Sequence, residues 1–209
     1  GLTNVVMGED TYVILCGDEE QQISFIQFYN LYVENTNKIN ASDIKINNLF
    51  YSGQAEYSGS VQLGNINNLM SEAFNGKLYI TDKCKLEKNI NISGDLIFND
   101  EFDVNGYELG SDNIEIKAGF SLNKGRAICK NEEDYVFVGK KMYFNSGKSH
   151  AGCLTAGTLE LTGDFYQEGN DNFVAEGTHK TILNKKYAAS GMDYIQTVSF
   201  NQTNGESKF

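Results

Sequence analysis

Residues 158–183, TLELTGDFYQEGNDNFVAEGTHKTIL, hold short runs of alternating apolar and polar residues, broken by a Gly-Asp step and an acidic Asn/Gly loop. Alternation of period two marks a strand that turns one face to a core. Counterparts lie upstream. Leu161 aligns with Val138, Ile116 and Ile92 in steps of roughly 22 residues. Two positions earlier stand Leu159, Val136, Ile114 and Ile90. Two positions later come Gly163, Lys140, Ala118 and Gly94, mostly small, and four later come Phe165, Met142, Phe120 and Leu96, all large and apolar. Lys140 interrupts the small column, as a bulge near Val138 would cause.

A unit of about 22 residues built from strands and turns cannot bury its inward side chains alone, whereas stacked copies bury them against each other. The expected fold is therefore all-β: a single-stranded, right-handed parallel β-helix or β-solenoid with coils of about 22 residues. An antiparallel sandwich is the rival, but it does not require columns at this period. One domain over residues 1–209 is expected, with irregular coils or a cap over 1–76 and regular coils over 77–209. In the first part, TYVILC (11–16), ISFIQFYNLYV (23–33) and DIKINNLFY (43–51) read as strands from their β-branched and aromatic content. GNINNLMSEAFN (64–75) is the one stretch that suits a short helix.

Composition agrees with many turns and narrows the partners. The 209 residues include 21 Gly and about two dozen Asn, with no Pro and no Trp; Gly and Asn tolerate the positive φ of tight turns. The net charge of −11, with Arg126 the sole arginine, leaves no basic footprint for nucleic acid. No apolar run reaches the ~20 residues of a membrane span. Cys16, Cys84, Cys129 and Cys153 form no CxxC pair, so zinc-ribbon and thioredoxin-like motifs are excluded. The four read as buried or half-buried thiols, with a Cys129–Cys153 disulfide as the alternative, since the two lie about one coil apart and within disulfide range.

NEEDYVFV (131–138), LTAGTLELTGDFYQ (154–167), FVAEGTHKTIL (173–183) and QTVSF (196–200) follow in an order that resembles a repetitive β-solenoid module of large secreted or surface proteins of gut-type anaerobic bacteria. The resemblance covers about the last third of the chain. It implies a secreted or cell-surface setting and a stalk, adhesive or binding role, and it brings no catalytic residues.

The residues carry three function readings. The first is a non-catalytic structural or adhesive module, with host or cell-wall glycan or protein as partner. The second is a carbohydrate-binding domain: Phe137, Tyr143 and Tyr166 lie between the inward columns and should point outward, where their rings can stack on sugars or cover neighbouring strands. The third is a polysaccharide lyase-like β-helix enzyme, with hydrolysis the other chemistry such folds carry. Two carboxylates about 5 to 10 Å apart would be needed for hydrolysis, yet Asp95 and Asp164 lie three units apart by this alignment. Lys141 and Asp164, on adjacent units, are expected to form an exposed ion pair. His150 sits in a polar loop, and His179 reads as a surface or ladder residue. No cofactor is called for except calcium: Glu168, Asp171 and Asn172 of the EGNDN loop are the candidate oxygen ligands, with a solvated acidic turn as the alternative.

Overall fold

Alternating strands whose inward residues are nearly all aliphatic or aromatic have one way to bury them here: wind and stack. In the computed structural model the chain is a parallel β-solenoid of about seven turns, with coils of about 20 residues. The structure describes residues 7–24, 27–35, 37–51, 57–69, 74, 76–117, 125–184, 195–201, 207 and 209. Among them every strand pair is parallel, in one 14-stranded sheet and one three-stranded sheet (Cys84–Lys85, Glu101–Asp103 and Arg126–Ile128). Parallel pairing throughout removes the antiparallel sandwich.

Two columns run almost the length of the long sheet. One stacks Phe28, Ile46, Leu63, Ile80, Phe98, Ile116, Phe144, Gln167 and Phe200. The other stacks Ile44, Val61, Leu78, Leu96, Ile114, Met142, Phe165 and Val198. From Phe28 to Ile116 successive members are roughly 18 residues apart, a near-constant coil length. The later steps, to Phe144, Gln167 and Phe200, are longer and unequal. The strands before Gly64 thus stack in register on shorter coils, which is why the longer period read downstream does not extend to them.

The spacing also corrects two assignments. Ile90 pairs with Leu109, which pairs with Val136, so Leu109 occupies the place assigned to Ile114. Ile114 and Ile116 sit one corner further on, beside Leu96 and Phe98. Leu109 divides the interval from Ile90 to Val136 into a short coil and a long one, and a uniform period lands close to Ile114 instead. Downstream, Val136 and Leu159, Val138 and Leu161, and Met142 and Phe165 pair as expected. Ala118 and Phe120, placed in the small and large columns, lie outside the described residues.

The corner between the two alternating runs is built from small and hydroxyl residues. Ser111 Oγ donates to the carbonyl of Gly94 (2.7 Å) and Thr162 Oγ1 to that of Gly139 (2.8 Å). A Cβ on Gly163 would meet the Lys140 carbonyl oxygen at 1.7 Å. The register shifts between Ser111 and Asn113, where one extra residue of the Tyr135–Asn145 strand is accommodated. This bulge is the reason Lys140 stands in a small-residue column; its ammonium reaches Asp112 at 2.9 Å.

Residues 11–16 hold strand Tyr12–Leu15, residues 23–33 contribute to strands Gln21–Ser24 and Gln27–Val33, and 43–51 belong to Ile39–Tyr51. In 64–75 the structure places a single 3-10 turn, Ile66–Asn68, capped by the Asn65 side chain; residues 70–73 and 75 lie outside the described ones. Cys129 and Cys153 are free thiols. The bridge partner of Cys129 is Leu154, so period-two alternation turns Cys153 away from it, and Cys129 but not Cys153 joins the core cluster.

Candidate functional site

The outward faces of strands Tyr135–Asn145 and Asp164–Glu168 carry two of the three aromatic candidates side by side. Register pairs Lys141 with Asp164 and Tyr143 with Tyr166. The two tyrosine rings meet edge to face with centroids 6.3 Å apart. The Lys141 ammonium lies 4.9 Å from the Tyr143 ring centroid and 5.2 Å from that of Tyr166. A cation–π contact thus takes the place of the expected ion pair with Asp164. The Asp164 carboxylate instead accepts from the backbone N–H of Thr197 (2.8 Å) and the hydroxyl of Tyr166 (3.3 Å). The Tyr143 hydroxyl donates to the Glu168 carboxylate; burial first and this bond second hold its proton on well above the usual phenol range.

Phe137 is not part of this group. Its register neighbours are Gly110 and Glu160, one corner away, and with Tyr135 it borders a separate hollow of about 190 Å³. Tyr135 donates to Glu160 at 2.8 Å, and burial followed by this bond pushes its phenol up to about 12.

A groove of about 290 Å³ opens on the same outward face as Tyr143. It is bordered by Lys77, Asp95 and Asn113, which occupy one register row running on to Lys141, and by Glu115 and Tyr143 of the next row. Ile97, in that second row, is only 3% exposed although it lies outside the core cluster. Asn113 Nδ2 donates to Asp95 Oδ1 at 2.6 Å, and the Lys117 ammonium stands 3.9 Å from Glu115. Apart from Tyr143, Lys141 and Asp95, no polar residue of the groove stands out in the sequence alone. The signal is a polar residue just before each of Leu78, Leu96 and Ile114, and it becomes visible only once the shorter coil spacing is known.

The three calcium candidates are placed differently from one another. Glu168 is exposed and accepts from Tyr143. Asp171 is in the left-handed region at φ 56°, and its carbonyl accepts the N–H of His150 (2.8 Å). Asn172 is fully buried: its Oδ1 accepts from Ser146 Oγ (3.1 Å) and the Lys148 N–H (3.3 Å), and its Nδ2 donates to the Glu168 carbonyl. Among the described residues no group of three or more His, Cys, Asp or Glu side chains could hold a metal ion.

His150, read as a loop residue, is completely buried against Phe144. Its Nε2 accepts the Ala127 N–H at 3.1 Å and its Nδ1 lies 3.2 Å from the Lys148 carbonyl, an arrangement only the neutral Nδ1–H tautomer satisfies. Burial outweighs the opposing pull of that carbonyl and, with the nearby charges of Arg126 and Lys148, lowers its pKa to about 3. His179 is half-buried beside Phe173, with Nδ1 2.9 Å from the Ala156 carbonyl. Arg126 faces Glu101 at 3.6 Å, and Glu101 also holds Lys83 at 2.5 Å.

No protein-family model, curated protein or solved structure matches the chain.

The outward face offers aromatic rings fixed by a lysine and a glutamate, next to a groove with both donors and acceptors on its rim. Such a surface can hold a ligand by stacking and hydrogen bonding.

Proposed function

We propose that the chain is a non-catalytic structural or adhesive module of a bacterial secreted or cell-surface protein, its partner a glycan or a protein of host or cell wall. The observation that carries this reading is the continuity of the stack, in which one column runs from Phe28 to Phe200. Coils repeating at ~4.8 Å make a stiff spacer whose seven or so turns extend roughly 34 Å. Its outward face presents a regular grid of side chains over that distance. One group suited to acid–base chemistry supports the same reading, since His150 spends both ring nitrogens on backbone partners. The surface setting rests on the resemblance of the last third of the chain to modules of large secreted proteins.

The test is antibody labelling of intact, unpermeabilised cells of the source organism, which is expected to be positive; signal only after lysis would sink the surface reading. In parallel, release of reducing ends or unsaturated uronates from a panel of plant and host polysaccharides is expected to stay at the level of a heat-inactivated sample. Turnover above that level would overturn the non-catalytic reading.

A further inference from the structure

We infer that the groove bordered by Lys77, Asp95, Asn113, Glu115 and Tyr143 binds a neutral oligosaccharide chain lying across three coil steps. The function proposed above does not require this, because a module whose partner is a protein, or a glycan held elsewhere on the chain, would satisfy it equally; the two stand or fall separately.

Size is the first argument. The groove's volume of about 290 Å³ is just under the range for small-ligand sites, ~300–1,000 Å³. The row from Lys77 to Lys141 covers three register steps, roughly 14 Å at strand spacing. That suits an extended, narrow ligand better than a compact one.

Charge is the second. Lys77 and Lys141 stand at the two ends of the row, with Asp95 within it and Glu115 alongside, so the groove carries no net formal charge. A polyanion would meet Asp95 and Glu115, and a basic peptide would meet Lys77 and Lys141. A neutral ligand meets no such penalty.

Surface chemistry is the third. The rim supplies carboxylate, amide and ammonium groups, so hydroxyls can be served both as donors and as acceptors. Tyr143 is an aromatic wall and Ile97 an apolar floor. A sugar ring has the matching make-up, with polar edges and C–H faces, and the C–H faces stack on aromatic rings. Pre-organisation adds to this: Lys141 and Tyr166 pack on the Tyr143 ring, its hydroxyl is held by Glu168, and Asn113 is held on Asp95. Tyr143 and Asn113 therefore have little side-chain freedom left to lose on binding.

The test is a titration of the ¹⁵N-labelled full chain with cellohexaose, xylohexaose and mannohexaose, followed by NMR, with a polygalacturonate oligomer and pentalysine as charged probes. At least one neutral hexasaccharide is expected to shift the amides of Asp95, Asn113, Glu115 and Tyr143. Tyr143→Ala and Asn113→Ala should each weaken binding about tenfold or more, as central contacts do, while the exposed Glu132→Ala leaves it unchanged. Thermal unfolding by circular dichroism checks that both variants remain folded, and Asn113→Ala serves alone if Tyr143→Ala does not. The inference fails if no neutral probe binds, if a charged probe binds as tightly as any neutral one, or if shifts and losses follow Phe137→Ala and its separate hollow instead.

Discussion

The Asp134 carboxylate is buried and accepts from the N–H groups of Lys130 (2.7 Å) and Asn131 (2.9 Å) within its own turn and from Gly106 N–H in the preceding coil. Asp134→Ala would leave three backbone donors without their acceptor, and a loss of about 3–5 kcal/mol is expected, read as a drop in urea midpoint; Asp134→Asn, which keeps one oxygen, should lose less. A midpoint unchanged by Asp134→Ala would show that water replaces the carboxylate. His150 gives a pH signature. Its folded pKa is lowered to about 3 from ~6.5 in the unfolded chain. Below ~6.5 the unfolded chain binds a proton that the folded one refuses, so this contribution is intact at neutral pH and is lost as pH falls toward 3, at about 1.4 kcal/mol per pH unit. His179, whose pKa is lowered by burial, acts in the same direction. His150→Gln should flatten the stability-versus-pH curve between pH 6 and 4 by about that slope, measured by denaturant titration at several pH values; an unaltered slope would remove His150 as its source.

At the scale of elements, the corners matter as much as the strands. Because the Gly163 Cβ position is filled by the Lys140 carbonyl, Gly163→Ala is expected to push two backbones apart and cost about 3 kcal/mol. Thr162→Val, which deletes only the hydroxyl bond to Gly139, should cost about 1 kcal/mol. Equal effects of the two in thermal unfolding would contradict the close approach at Gly163. The strands themselves are legible between Val136 and Leu161, where alternation and like residues recur at a constant gap. The corner positions are not, because Ile114 and Ile116 alternate just as Leu109 and Ser111 do, and aliphatic content alone does not tell one face from the next. Parity carries more information: Leu154, not Cys153, is the neighbour of Cys129, and whether a position is odd or even decides against the disulfide.

For the whole molecule, pairing partners lie a full coil apart in sequence, so every contact in the long columns closes a loop before it stabilises anything. Refolding from urea, followed by tyrosine fluorescence since the chain has no Trp, is expected in the millisecond-to-second range or slower; a single phase near a microsecond would be incompatible with this topology. The candidate site shows the same dependence on long-range order. Tyr143 and Tyr166 are legible as outward residues because they sit between inward columns that keep the longer downstream spacing. The partnership of Tyr143 with Glu168 depends on how the loop beyond the strand folds, and the row Lys77, Asp95 and Asn113 keeps the shorter upstream spacing, which the longer downstream period conceals.

The apolar columns store energy but little information. A ladder of Ile, Leu, Val and Phe is a set of interchangeable rungs, and hydrophobicity barely distinguishes a coil docked on its proper neighbour from one docked a rung away. The contacts that do distinguish them are polar and singular: Asp134 with Gly106, Asn105 with the Leu86 carbonyl (2.9 Å), Asn48 with Asn30 (2.8 Å). They work as addresses, each matching one coil to one other. Removing them would do more than weaken the fold: it would make the chain ambiguous, with mis-threaded stacks competing with the correct one.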